Sequence, residues 1–219
     1  MQKVLLTLII TCTFVCMTIA QTTRPTSQPT TSPTSQASKK MNMMKAPYAS
    51  IKESPTSFTP AAVLQRTIDG LGYRYHWASE GLTAKDLAYD PGNAGKRADQ
   101  VLQHIHGLTL TILKTVTGNT NARPEALEEM DYEALRMSTL INLKEASDYL
   151  SANPNLDLNE RKVIFSRGET VSKYPLWNLL NGPLLDAVYH TGQIVSFRRS
   201  TGNPSHPKVN VFRGTDPNG

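Results

Sequence analysis

The chain has 219 residues, the length of one domain with room for tails, and is 39% hydrophobic with a net charge of +5. Its basic residues are dispersed as short pairs (Lys39-Lys40, Lys96-Arg97, Arg161-Lys162, Arg198-Arg199), with no basic stripe interleaved with aromatics, which argues against nucleic-acid binding. Both cysteines, Cys12 and Cys16, lie in the first twenty residues. A chain that loses those residues has no disulfide, no thiolate metal site and no cysteine nucleophile.

Lys3 gives a short positive start, Val4 to Ile19 is almost uninterruptedly apolar or small, and Thr18-Ile19-Ala20 before Gln21 suits cleavage. This pattern predicts a secretory signal peptide over 1–20, hence an exported protein, periplasmic or secreted, with no stable membrane span after cleavage. A retained anchor is the alternative reading. Residues 21–57 are rich in Thr, Ser, Pro and Gln and cannot bury enough surface to offset their ordering entropy, so they read as a flexible linker. A folded domain is expected over 58–204, followed by a polar, flexible tail over 205–219.

Thr59-Pro60 is the signature of an N-cap followed by proline at the first helical position. From there Leu64, Ile68, Leu71, Tyr75, Ala78 and Leu82 recur at helical spacing, and by the same wheel His76 and Glu80 fall on a solvated face. Asp90-Pro91-Gly92-Asn93 is a turn. A second helix is expected from about Ala94 to Val116, with Val101, Ile105, Leu108 and Ile112 as its buried stripe and Gly118-Asn119 as its end. A third extends from Pro124 to roughly Ala152. Lys162-Val163-Ile164-Phe165 alternates weakly and reads as a short extended piece in a long connection. The fourth helix runs from about Pro175-Leu176-Trp177 to Thr201-Gly202-Asn203-Pro204, with a kink or break at Gly182-Pro183. Four long helical segments with almost no strand signal predict an all-α four-helix bundle with a long crossover connection. Trp177 and Tyr189 are expected to pack inside it.

The chemistry concentrates in Asp186-Ala-Val-Tyr-His190-Thr-Gly-Gln193. An acid and a histidine four residues apart share one helix face, the spacing at which one helix offers two ligands to a metal ion. Leu184, Val188 and Val195 mark the opposite face, while Leu185, Ala187 and Ile194 crowd the polar stripe and argue that it is partly enclosed. Enclosed carboxylate and imidazole need a partner, which a cation can supply; an exposed ion pair is the simpler alternative. A third ligand could come from His104-Ile-His106-Gly-Leu108, where His104 and His106 flank the apolar stripe symmetrically, so periodicity does not choose between them. Arg198 and Arg199 could anchor an anionic substrate, or simply place cations in the last turn of a helix. No phosphate loop, G-x-S-x-G or H-E-x-x-H motif is present.

The stretch from Leu102 to Leu108, and that from Gly182 to Arg199 with its His190-Thr-Gly-Gln193 core, resemble the DinB/YfiT-like family of metalloenzymes. The resemblance spans Thr59 to Pro204. It implies a four-helix bundle carrying one divalent metal on three side chains, one from the second helix and two from the last. Carried over by position, His104 and His190 are ligands, and Asp186 stands where the family commonly has a histidine. Two histidines and one carboxylate suit Zn, Ni, Fe or Mn and leave positions open for water or substrate. The resemblance thus implies a metal-dependent enzyme, hydrolase- or transferase-like, acting on a small molecule, and a homodimer is a possible assembly. Relatives that use low-molecular-weight thiols fit an exported chain poorly, since thiols tend to oxidise outside the cytosol. The competing reading is an exported, non-catalytic helical-bundle binding protein with a degenerate metal site.

Overall fold

A computed structural model describes residues 45–122 and 130–219. The expected signal peptide and most of the expected linker lie outside the described residues, as does 123–129, where the third helix is expected to start. The chain is mostly helical, with a small three-stranded sheet. Four long helices dominate: α1 (Pro60–Ser79), α3 (Ala98–Thr117), α4 (Tyr132–Ala152) and α6 (Leu185–Ser200). The short helices α2 (Ala84–Leu87) and α5 (Trp177–Leu179) sit in the connections.

Local chemistry sets the helix ends. Thr59 accepts a hydrogen bond from the Ala62 amide and Pro60 opens α1, so the expected start holds. Residues 92–97 are non-helical, and α3 starts only at Ala98, later than the periodicity predicts, where Gln100 reaches back to the Arg97 amide. Gly118 closes α3 with φ of 78°, a left-handed conformation that favours glycine. Asp131 caps α4 through the Ala134 amide.

α1 and α4, α4 and α3, α3 and α6, and α6 and α1 pack side by side. Two apolar clusters fix their directions. In one, Ile68 and Leu71 of α1 meet Ile112 and Val116 of α3, Leu143 and Leu150 of α4, and Ala187 of α6. In the other, Tyr75 and Ala78 meet Val101 and Ile105, Leu140 and Ile194. The late half of α1 thus faces the early halves of α3 and α4 and the late half of α6. Hence α1 and α6 run one way, α3 and α4 the other.

The weakly alternating segment belongs to a hairpin. β2 (Lys162–Arg167) pairs antiparallel with β3 (Thr170–Pro175) from Lys162 opposite Pro175 to Arg167 opposite Thr170, and β1 (Asn121–Ala122) joins β2 in parallel. Gly168, with φ of 58°, permits the tight two-residue turn. Val163 is buried against the first apolar cluster. Among the described strand positions only Val163 is fully buried, with Phe165 half-buried against the same cluster, so the apolar signal is short and the sequence pattern understates the sheet.

Both ends of the described chain lie on α1. Trp77 Nε1 donates to the Ala49 carbonyl (3.1 Å), and the Ile51 amide donates to the Gly214 carbonyl (2.8 Å). Tyr73 is fully buried, donating to the Thr215 carbonyl (2.9 Å) and accepting from the Asn210 amide (3.2 Å). These segments carry little hydrophobicity because backbone hydrogen bonds do much of the holding.

Candidate metal centre

The break expected at Gly182-Pro183 is present: Gly182 has φ −100° and ψ −107°, and residues Leu180–Leu184 form a wide π-type turn before α6. Beyond it the buried stripe of α6 is Ala187, Thr191, Ile194 and Arg198. Asp186 and His190 stand one turn apart at the edge of that stripe, facing α3. There His104 emerges beside the fully buried Ile105. His104 Nε2 lies 3.1 Å from Asp186 Oδ2, and His190 Nε2 lies 3.4 Å from Asp186 Oδ1. One ligand atom from each of His104, Asp186 and His190 falls within 4.8 Å of the others.

This spacing matches what one ion needs. Ligand atoms about 2.1 Å from a common ion at tetrahedral angles stand roughly 3.4 Å apart. The imidazoles meet edge to face, with centroids 4.7 Å apart and planes at 87°, so their nitrogens converge while the rings pack. Side-chain exposure is 35% for His104, 41% for Asp186 and 14% for His190, so the site opens to solvent on one side. The cluster could hold a metal ion.

The hydrogen bonding of His190 sharpens that reading. Its Nδ1 is 2.7 Å from Gln193 Oε1, an acceptor, so Nδ1 carries the proton. Gln193 is held in that orientation by its own amide nitrogen, 3.4 Å from the Tyr189 hydroxyl. In the neutral ring the Nε2 lone pair then faces a carboxylate oxygen. Two lone pairs at that distance repel unless a proton or a metal cation lies between them. Orienting a ligand histidine through its second nitrogen is the usual way a protein fixes tautomer and ring plane.

The other sequence candidates separate. His106, two residues from His104, turns toward α4 and donates through Nδ1 to Thr139 Oγ1 (3.2 Å), whose hydroxyl is itself donated to the Leu135 carbonyl. Burial pushes its pKa down and keeps it neutral. Arg198 is no substrate anchor. It is buried and donates to the Trp77 (3.1 Å), Ala78 (3.0 Å) and Asn203 (2.6 Å) carbonyls, satisfying the end of α1. Arg199 is exposed. Trp177 and Tyr189, expected inside, are 75% and 64% exposed, and Leu185 is exposed as well. The polar stripe therefore meets His104 of α3 on one side and is open on the other.

His76 is placed differently from the expected solvated face, whereas Glu80 is exposed as expected. His76 is buried under residues 46–49, with Nδ1 donating to the Pro47 carbonyl (2.7 Å), and Glu80 pairs with the buried Arg136. Arg136 carried no sequence signal beyond a cation at a helical position facing other helices. No protein-family model, curated protein or solved structure matches this chain.

Proposed function

We propose that the protein is a metal-dependent enzyme of the DinB-like type, built on a four-helix bundle with a crossover between α3 and α4. His104, Asp186 and His190 hold one divalent ion, with zinc, nickel, iron and manganese all compatible with two imidazoles and a carboxylate. The observation that supports this reading is the convergence of one ligand atom from each of His104, Asp186 and His190 within 4.8 Å, with His190 Nδ1 committed to Gln193. A cation fits that arrangement. When bound, the ion would supply Lewis-acid polarisation of a substrate oxygen or an acidified water, the basis of hydrolase- or transferase-like chemistry.

The chain's own groups divide the remaining work. Asp186 lies between the two imidazoles and offsets the charge of the ion. Gln193 keeps the proton on His190 Nδ1. The solvent-open side admits a small molecule, and the exposed Tyr189, whose ring lies 5.2 Å from that of His190, borders it. Among the described residues no helix is long and apolar enough to cross a membrane.

Elemental analysis of untagged protein tests the reading. One equivalent of a transition metal is expected, lost in His190→Ala and His104→Ala. Metal-free protein that also fails to take up zinc, nickel, iron(II) or manganese at micromolar concentration would leave a non-catalytic binding protein as the better description.

A further inference from the structure

A second cavity shares no lining residue with the triad. It encloses about 570 Å³ and is walled by His76, Trp77 and Glu80 of α1 and its end, Arg136 of α4, and His206 and Asp216 of the C-terminal segment, with Lys45 at its margin. This volume lies within the usual range for small-ligand sites. The cavity exists because the two chain-end segments arch over the end of α1 and leave its polar face partly uncovered.

Two of its walls are deeply buried polar side chains with bonding capacity to spare. The Arg136 side chain is only 7% exposed. Its Nε donates to Ser79 Oγ (3.1 Å), and its Nη2 reaches the His76 carbonyl (3.4 Å) and the Glu80 carboxylate, while Nη1 has no partner among the described residues. His76 is 5% exposed, and its Nδ1 proton is committed to Pro47, which leaves Nε2 as an acceptor without a described partner. Burial lowers the His76 pKa and so keeps that acceptor free of a proton near neutrality. Neither atom is sealed in protein, so a ligand in the cavity can reach both, and each names its complement.

The guanidinium, backed by Lys45, asks for a carboxylate. The imidazole acceptor, flanked by the carboxylates of Glu80 and Asp216, asks for an ammonium. Trp77 and His206, with centroids 6.2 Å apart, offer ring faces for an apolar side group. We propose that this cavity is a second ligand site, distinct from the metal centre, that binds a zwitterionic α-amino acid, its carboxylate on Arg136 and its ammonium toward His76, Glu80 and Asp216.

Trp77 is a built-in reporter, since the chain has two tryptophans and the other, Trp177, is largely exposed. In full-chain Trp177→Phe, fluorescence would be titrated with glycine, L-leucine and L-phenylalanine, and with 2-phenylethylamine and 3-phenylpropionate as singly charged controls. Saturable change is expected with at least one amino acid, and phenylalanine should bind at least tenfold tighter than either control. Asp216→Asn, which leaves the Arg136–Glu80 pair intact, should weaken amino-acid binding severalfold and leave phenylpropionate unchanged. No saturable change with any of the three amino acids, or equal binding of phenylalanine and a control, overturns the proposal. The same titration in protein stripped of metal gives the same result if the two sites are separate.

Discussion

Replacing Gln193 by leucine separates metal chemistry from folding. The substitution keeps the volume and removes the acceptor 2.7 Å from His190 Nδ1. Losing an orienting partner of this kind typically costs 10–100-fold in metal affinity, about 1.4–2.7 kcal/mol. The structure places the effect near the lower bound. A neutral hydrogen bond contributes about 1 kcal/mol net, and the His190 ring, 14% exposed, is still gripped between the rings of His104 and Tyr189. The dissociation constant for zinc, measured by competition against a chromogenic chelator, should therefore rise about tenfold. Gln193 is only half-buried, so urea unfolding of the metal-free protein should change by less than about 0.5 kcal/mol. Gln193→Glu should keep or raise affinity, because a carboxylate makes the imidazole a better donor. Unchanged zinc affinity in a folded Gln193→Leu protein would refute the assignment of Gln193 as the group that orients His190.

Bound metal should stabilise the fold: at a free concentration one hundred times its dissociation constant it adds about 2.7 kcal/mol, readable as a rise in Tm that EDTA reverses and that His190→Ala abolishes. Arg198→Met should cost about 3 kcal/mol or more in urea unfolding, since it leaves three carbonyls without their charged donor, and a cost under 1 kcal/mol would contradict that role. Tyr73→Phe strands the Thr215 carbonyl and the Asn210 amide and should cost about 1–2 kcal/mol, with faster hydrogen exchange confined to residues near 210–215. Stability should also fall with acid in two stages. Burial lowers the pKa of His76 and His106, so the unfolded chain takes up protons first, and Tm should drop as pH falls below about 6.5. For Asp86 burial opposes ionisation, but bonds from Thr201, Asn203 and Thr83 outweigh it and hold the carboxyl well below its usual range. A second loss should therefore set in below about pH 4, and a Tm flat from pH 7 to 3 would contradict both assignments.

Helical periodicity reports what an apolar stripe meets, and that much of the fold was legible. The stripe of α1 is buried as read, that of α3 is buried apart from the half-buried Leu108, Thr59-Pro60 starts α1, and Gly182-Pro183 breaks the chain before α6. Polar faces are harder, because the same residues serve water or a covering segment. His76 and Glu80 look solvent-facing on a wheel, yet residues 46–49 lie over His76 through a backbone carbonyl, a contact with no side-chain signature. The hairpin was understated for a related reason: it buries Val163 fully and Phe165 only in part. At the metal centre the pair Asp186 and His190 follows from helix geometry alone. The choice of His104 over His106 does not, since both flank Ile105 equally. It needed the resemblance, or the knowledge that α6 lies on one side of α3 and Thr139 of α4 on the other.

The clasp that both chain-end segments form on α1 has a mechanical corollary. A pull on the chain ahead of Lys45 enters the domain at Ala46–Ile51, a stretch fastened by the Pro47, Ala49 and Ile51 backbone contacts with His76, Trp77 and Gly214. Such fastenings release singly and in succession, whereas the helices yield only as a unit. Load would therefore unroof the cavity beside Trp77 first and leave His104, Asp186 and His190 undisturbed until much greater force.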